Sequence, residues 1–125
     1  SNRKKQYYTL VSEFMLQQTQ VSTVIPYFQK FIKNIPDLET LANFNDHKLV
    51  KIWEGLGYYS RVRNLKKTAQ VVVKDFNKNL PSNFLELKSL PGIGDYTASA
   101  ISAIAFNKPF IPLDGNVERV LKRYL

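Results

Sequence analysis

Between its prolines and glycines this chain repeats apolar residues every three or four positions, and no segment alternates apolar and polar residues long enough to make a strand. That pattern calls for short helices joined by tight turns. Tyr7 to Gln17 carries Leu10, Val11, Phe14 and Met15 at helical spacing. A second helix opens near Thr19 or Gln20 and runs to about Lys33, with Pro26 either kinking it or marking its first turn. Pro36 and Asp37 open a short helix through Ala42. Asn45 or Asp46 caps the next, which ends near Trp53 because Gly55 and Gly57 follow. Tyr58 to Asn77 is the longest, with Val62, Leu65, Ala69, Val72 and Phe76 on one face. Pro81 and Ser82 start a short helix bearing Phe84, Leu85 and Leu87. Another runs from about Tyr96 to Phe106, and a last one, capped by Asp114 or Asn116, reaches Tyr124. The expectation is an all-α chain with one core, no internal repeat and no linker.

Length and composition agree. The 125 residues suffice for one domain, and 44% of them are apolar, so the chain folds. No apolar run approaches the roughly 20 residues of a membrane span, and no signal-peptide pattern opens these residues. Cysteine is absent, which rules out disulfides, thiolate metal ligands and cysteine nucleophiles within these residues and fits a cytoplasmic location. Eighteen Lys and Arg against ten Asp and Glu leave a charge of +8, a field that attracts polyanions. Nucleic acid is the leading partner and an anionic membrane surface the second; AT-rich codons, to which the many Lys, Asn, Ile, Phe and Tyr also point, would give the same excess with no partner at all.

The stretch LPGIGDYTASAI, residues 90–101, lies in a helix–turn–helix hairpin at about residues 83–106. With Gly92 and Gly94 both free to take positive φ, the turn amides between Pro91 and the next helix face outward around Ile93. Together with that helix N-terminus they hold a phosphate oxygen, and Thr97 adds a hydroxyl. Such a grip follows a backbone and ignores sequence. The alternative is an ordinary helical corner whose glycines only let two helices pack closely.

Two carboxylates stand out. Glu13 lies among Leu10, Phe14 and Leu16, and burial there disfavours the charged form, as a general acid near neutral pH requires. The competing reading is a solvated helix glutamate. Asp114, in LDGNVERV, is either a helix cap or a negative charge that stabilises a cationic sugar. The two are 101 positions apart, so only the fold can bring them together.

LPGIGDYTASAI resembles the hairpin of the helix-hairpin-helix DNA glycosylase superfamily, which includes endonuclease III and the MutY-type adenine glycosylases. SEFMLQQTQVSTVIPYF, GLGYYSRVRNL and LDGNVERVL match MutY-type blocks in the same order. The resemblance implies a six-helix barrel module, 1–125, that removes adenine mispaired with 8-oxoguanine or guanine in double-stranded DNA, as a monomer. By resemblance Glu13 protonates the departing adenine, Asp114 stabilises the sugar, and Asn116 supplies a hydrogen bond to Asp114. Tyr96 stands where endonuclease III has its lysine nucleophile. A phenol forms no imine, which implies a monofunctional enzyme. Gln18 matches a residue that enters the base stack after flipping, with Gln17 beside it; Tyr58 matches a wedge beside 8-oxoguanine, and Leu16 lies near the adenine pocket. Arg61, Arg63, Lys66 and Lys67 read either as phosphate contacts or as a solvated face.

The chain also departs from the family. The four cysteines that hold its [4Fe–4S] cluster and the C-terminal lesion-recognition domain are not among these residues, so both are expected in a longer protein. Lys5 and Gln6 precede Tyr7 where the family often has Asp-Pro. Two other readings remain: a hairpin module that binds DNA without catalysis, and an endonuclease III-like glycosylase and lyase for oxidised pyrimidines.

Overall fold

A computed structural model describes residues 2–108. They form seven helices and, among the described residues, no strand: α1 (Asn2–Leu16), α2 (Val21–Asn34), α3 (Leu38–Ala42), α4 (Asp46–Trp53), α5 (Ser60–Asp75), α6 (Phe84–Lys88) and α7 (Asp95–Phe106). Asp114, Asn116 and the last helix expected from the sequence lie outside the described residues.

Local chemistry sets most boundaries. The Asp37 side chain accepts from the Thr40 amide at 2.8 Å, and Asn45 from that of Lys48 at 2.9 Å, so Asn45 rather than Asp46 is the cap of α4. Asn83 accepts from Leu85 and Glu86 at 2.9 and 3.1 Å, which moves the start of α6 two residues beyond the Pro81–Ser82 signal. Tyr58 has φ of 49° and cannot belong to a helix, so α5 begins at Ser60. Pro26 lies inside α2 on an exposed face; the helix runs on to Asn34.

The helix that organises the molecule is α1. Every residue from Gln6 to Met15 except Tyr8 is buried, polar ones included. Their polar groups find partners nearby. Thr9 donates to the Lys5 carbonyl at 2.7 Å, Ser12 to that of Thr9 at 3.1 Å, and Gln6 accepts from the Leu80 amide at 2.9 Å. α2, α5 and α7 pack around it, α4 lies against α2 and α5, α3 against α5, and α6 against α7. Phe31 meets Trp53 edge-on with ring centroids 6.0 Å apart, and Phe28 meets Tyr8 likewise at 5.6 Å. With α1 wrapped on three sides, it meets the surface at its two ends: at Asn2 to Lys4, and where Gln17 and Gln18 follow its last turn.

Candidate functional site

Three loops converge there. The first is the hairpin turn between α6 and α7. Leu90 and Ile93 are buried and anchor it, and the Pro91 carbonyl accepts from the Thr68 hydroxyl of α5 at 2.8 Å. Gly92 has φ of +79°, and a Cβ there would lie 2.9 Å from both Asn64 Cβ and Phe14 Cε2. The turn therefore needs glycine for conformation and for closeness. Gly94 corrects the expectation that both glycines take positive φ: its φ is −94°, and a Cβ there would meet nothing within 4 Å. Its bareness instead leaves open surface at the start of α7, whose N-terminus has no side-chain cap.

The Ile93 side chain belongs to the core, and its amide donates to the Leu90 carbonyl at 3.2 Å within the turn. Thr97 is buried and its Oγ1 accepts from Gln17 Nε2 at 3.4 Å. Asp95, the first residue of α7, pairs with Lys88 at 2.8 Å, which offsets a negative charge beside the turn. Tyr96 follows, half exposed.

The second loop is the end of α1. Gln17 Nε2 also donates to the Gly92 carbonyl at 3.4 Å, tying this end to the hairpin. Gln18 is exposed with φ of 61°. Leu16 is half-buried against the core. Glu13, one helical turn before Gln17, is 3% exposed, so the carboxyl expected to act as an acid lies in the interior just beneath this end. The third loop, Gly55 to Tyr59, presents Tyr58, which is 59% exposed. Gln17, Gln18, Tyr58, Ser60, Arg61, Gly92, Gly94 and Thr97 line one cleft of about 530 Å³.

Arg61 is corrected as a phosphate contact. It is 6% exposed, and its guanidinium is committed to the protein. Nη1 donates to the carbonyls of Phe14 (3.2 Å), Met15 (2.8 Å) and Gln17 and to Thr19 Oγ1 (3.1 Å). Nη2 donates to those of Leu56 and Gly57, both at 3.3 Å. The group sits 5.5 Å from the Trp53 ring centroid and 5.2 Å from that of Tyr58. Burial pushes its pKa below the ordinary arginine value, and Tyr58 acts the other way.

Lys66 is also occupied, donating to the Phe44 carbonyl at 2.7 Å and pairing with Asp46. Arg63 and Lys67 are exposed, but they line a different depression, beside Asp46 and Gln70. Sequence reasoning missed Ser60, Thr68 and Asn64. The last two support the turn, and nothing in their spacing announces it.

Residues 11–125 match the model of the HhH-GPD superfamily base excision DNA repair protein family. The chain belongs to that superfamily. Similar HhH-GPD proteins include the adenine DNA glycosylase of Buchnera aphidicola subsp. Baizongia pistaciae, 49% identical over 122 residues, which are 98% of this chain and 35% of the relative. The adenine DNA glycosylase of Homo sapiens is 45% identical over 121 residues, 96% of this chain and 22% of the human protein. The chain thus spans about a third or less of the length of these relatives. Among solved structures, a thermostable thymine-DNA glycosylase superposes with a TM-score of 0.81 at 30% identity, covering 97% of this chain and 56% of that one. A trapped endonuclease III–DNA covalent intermediate gives 0.79 at 26% identity, covering 92% and 55%. The all-α helix-hairpin-helix glycosylase fold expected from the sequence is therefore the fold of this chain.

Proposed function

We propose that these residues are the core of an adenine DNA glycosylase, which hydrolyses the N-glycosidic bond of adenine mispaired with 8-oxoguanine or guanine in duplex DNA. The observation that carries the reading is the joint made by Gln17, which brings the helix end above Glu13 against a hairpin turn with an uncapped helix N-terminus behind it. A phosphate held by that turn puts the adjoining nucleotide over the cleft. The relatives named above supply adenine as the base.

In this reading the hairpin amides fix the backbone, and the target nucleotide is flipped into the cleft. Gln18 fills the gap in the stack, and Tyr58 stacks beside the opposite base. Leu16 borders the base. The protonated Glu13 carboxyl gives its proton to a ring nitrogen of adenine. The glycosidic bond breaks with its electron pair going to the base, and the Asp114 carboxylate, oriented by Asn116, stabilises the cationic sugar. Water adds to the sugar carbon and returns a proton to Glu13. Tyr96 offers no amine, so no imine forms and the strand stays intact. Arg63 and Lys67 lie outside the cleft and serve as flanking phosphate contacts.

The residues here do not fit an iron–sulfur cluster. Its ligands are thiolates, the chain has no cysteine, and no cluster of three His, Cys, Asp or Glu fit to hold a metal ion occurs among the described residues. No step above depends on one.

The test is base release by the full-length protein from three duplexes, carrying adenine opposite 8-oxoguanine, adenine opposite guanine, or an oxidised pyrimidine opposite guanine. Free adenine from the first two with unbroken strands is expected. Release of the pyrimidine, trapped covalently by borohydride, contradicts the reading, as does binding without release of any base.

A further inference from the structure

We infer that Arg61 is a positioning residue that sets the distance and orientation between Gln18 and Tyr58, so that the two side chains enter DNA as one rigid fork. The inference rests on the proposed insertion of both residues and adds what holds them.

Among residues of the cleft, the two non-glycine residues at positive φ are Gln18, at 61°, and Tyr58, at 49°. Side-chain-bearing residues keep that conformation only where their surroundings impose it. The guanidinium grips the carbonyl immediately before each of them: that of Gln17 by Nη1 and that of Gly57 by Nη2. Each of those carbonyls belongs to the same peptide plane as the following amide. Holding the oxygen therefore fixes the plane about which φ of Gln18 or Tyr58 turns.

The grip is braced on both sides. Nη1 also holds Phe14, Met15 and Thr19, Nη2 also holds Leu56, and Trp53 Nε1 donates to the Gly57 carbonyl at 3.1 Å. The Tyr58 ring lies against the same guanidinium. A lysine could supply the charge, but as a point donor it cannot span two loops with a planar fork.

The test has two arms in the full-length protein. In free protein, hydrogen exchange is compared between wild type and Arg61→Lys. Exchange should rise roughly tenfold in both 16–20 and 55–59, matching loss of hydrogen bonds to a charged donor. In the second arm, affinity for an adenine:8-oxoguanine duplex is measured in a double-mutant cycle. Arg61→Lys should cost about tenfold alone and less than about twofold once Tyr58→Ala or Gln18→Ala is present, because it acts through them.

Additive losses, or exchange that rises in one loop only, overturn the inference while leaving the proposed function intact. If Tyr58→Ala and Gln18→Ala each leave affinity and adenine release at wild-type levels, the insertion reading fails, and the inference with it. Should Arg61→Lys not fold, Thr19→Val replaces it. That substitution removes one acceptor of Nη1 on the Gln18 side and no partner within 55–59, so faster exchange at 55–59 supports transmission through the guanidinium and unchanged exchange there contradicts it.

Discussion

Gln17 at the end of α1 donates to the carbonyl of Gly92, 75 positions along the chain, and through the same amide to Thr97. This contact joins the helix that carries Glu13 to the turn that carries the uncapped start of α7. Gln17→Ala is expected to weaken binding of mismatch DNA by up to about fivefold, since two long, partly exposed hydrogen bonds are together worth roughly 1 kcal/mol. Stability should change little. Titration of a labelled duplex beside urea denaturation of the same variant checks both.

The two hairpin glycines should respond in opposite ways. Gly92→Ala adds a methyl 2.9 Å from Phe14 and Asn64 at a positive φ, and is expected to lower stability by about 1–3 kcal/mol. Gly94→Ala meets nothing and keeps an extended backbone, so its stability cost should stay below about 1 kcal/mol while DNA affinity falls, because the methyl stands where a backbone would approach. Urea midpoints at constant slope, read beside binding constants, separate the two.

Salt should expose the phosphate contacts. Arg63→Ala and Lys67→Ala are each expected to reduce the slope of log affinity against log salt by about 1, with equal loss on matched and mismatched duplexes. Lys66→Ala should leave that slope unchanged, because its ammonium already pairs with Asp46 and the Phe44 carbonyl. Affinity measured from low to moderate salt decides each case.

Tyr7 gives the core an alkaline limit. Its phenol is buried, donates to the Ile35 carbonyl at 2.5 Å, and has its pKa raised by burial and, less, by Asp37 and Tyr8. A raised folded pKa stabilises the neutral form. The contribution is complete below the unfolded value near 10 and is lost as pH rises above it. Tyr7→Phe should therefore be less stable than wild type at pH 8, with the gap narrowing as the buffer passes pH 10 or so. Denaturation across that range measures it.

How far the sequence could be read depended on whether a residue's role was local. The hairpin was legible because the positive φ of Gly92 belongs to its own turn, and Asn45 because a cap needs only the next three amides. Arg61 was not legible. It sits in a basic run with Arg63, Lys66 and Lys67, where charge argues for solvent, and only the tertiary approach of the α1 carbonyls draws it inside. The hydroxyls of Thr9 and Ser12 are satisfied within α1, so that helix is buried on nearly every side despite its polar residues. The apolar neighbours of Glu13 leave both a buried and a solvated carboxyl open, and the structure has it buried. Its expected partner Asp114 lies outside the described residues.

In the proposed function Glu13, beneath the joint of α1 and the hairpin, delivers the proton that frees the base. Single-turnover release of adenine from an adenine:8-oxoguanine duplex by full-length wild type and Glu13→Gln tests it most directly, with duplex affinity measured in parallel. The amide variant is expected to bind as tightly as wild type and to release adenine at least about a hundredfold more slowly. Wild-type release by Glu13→Gln at equal affinity would contradict it.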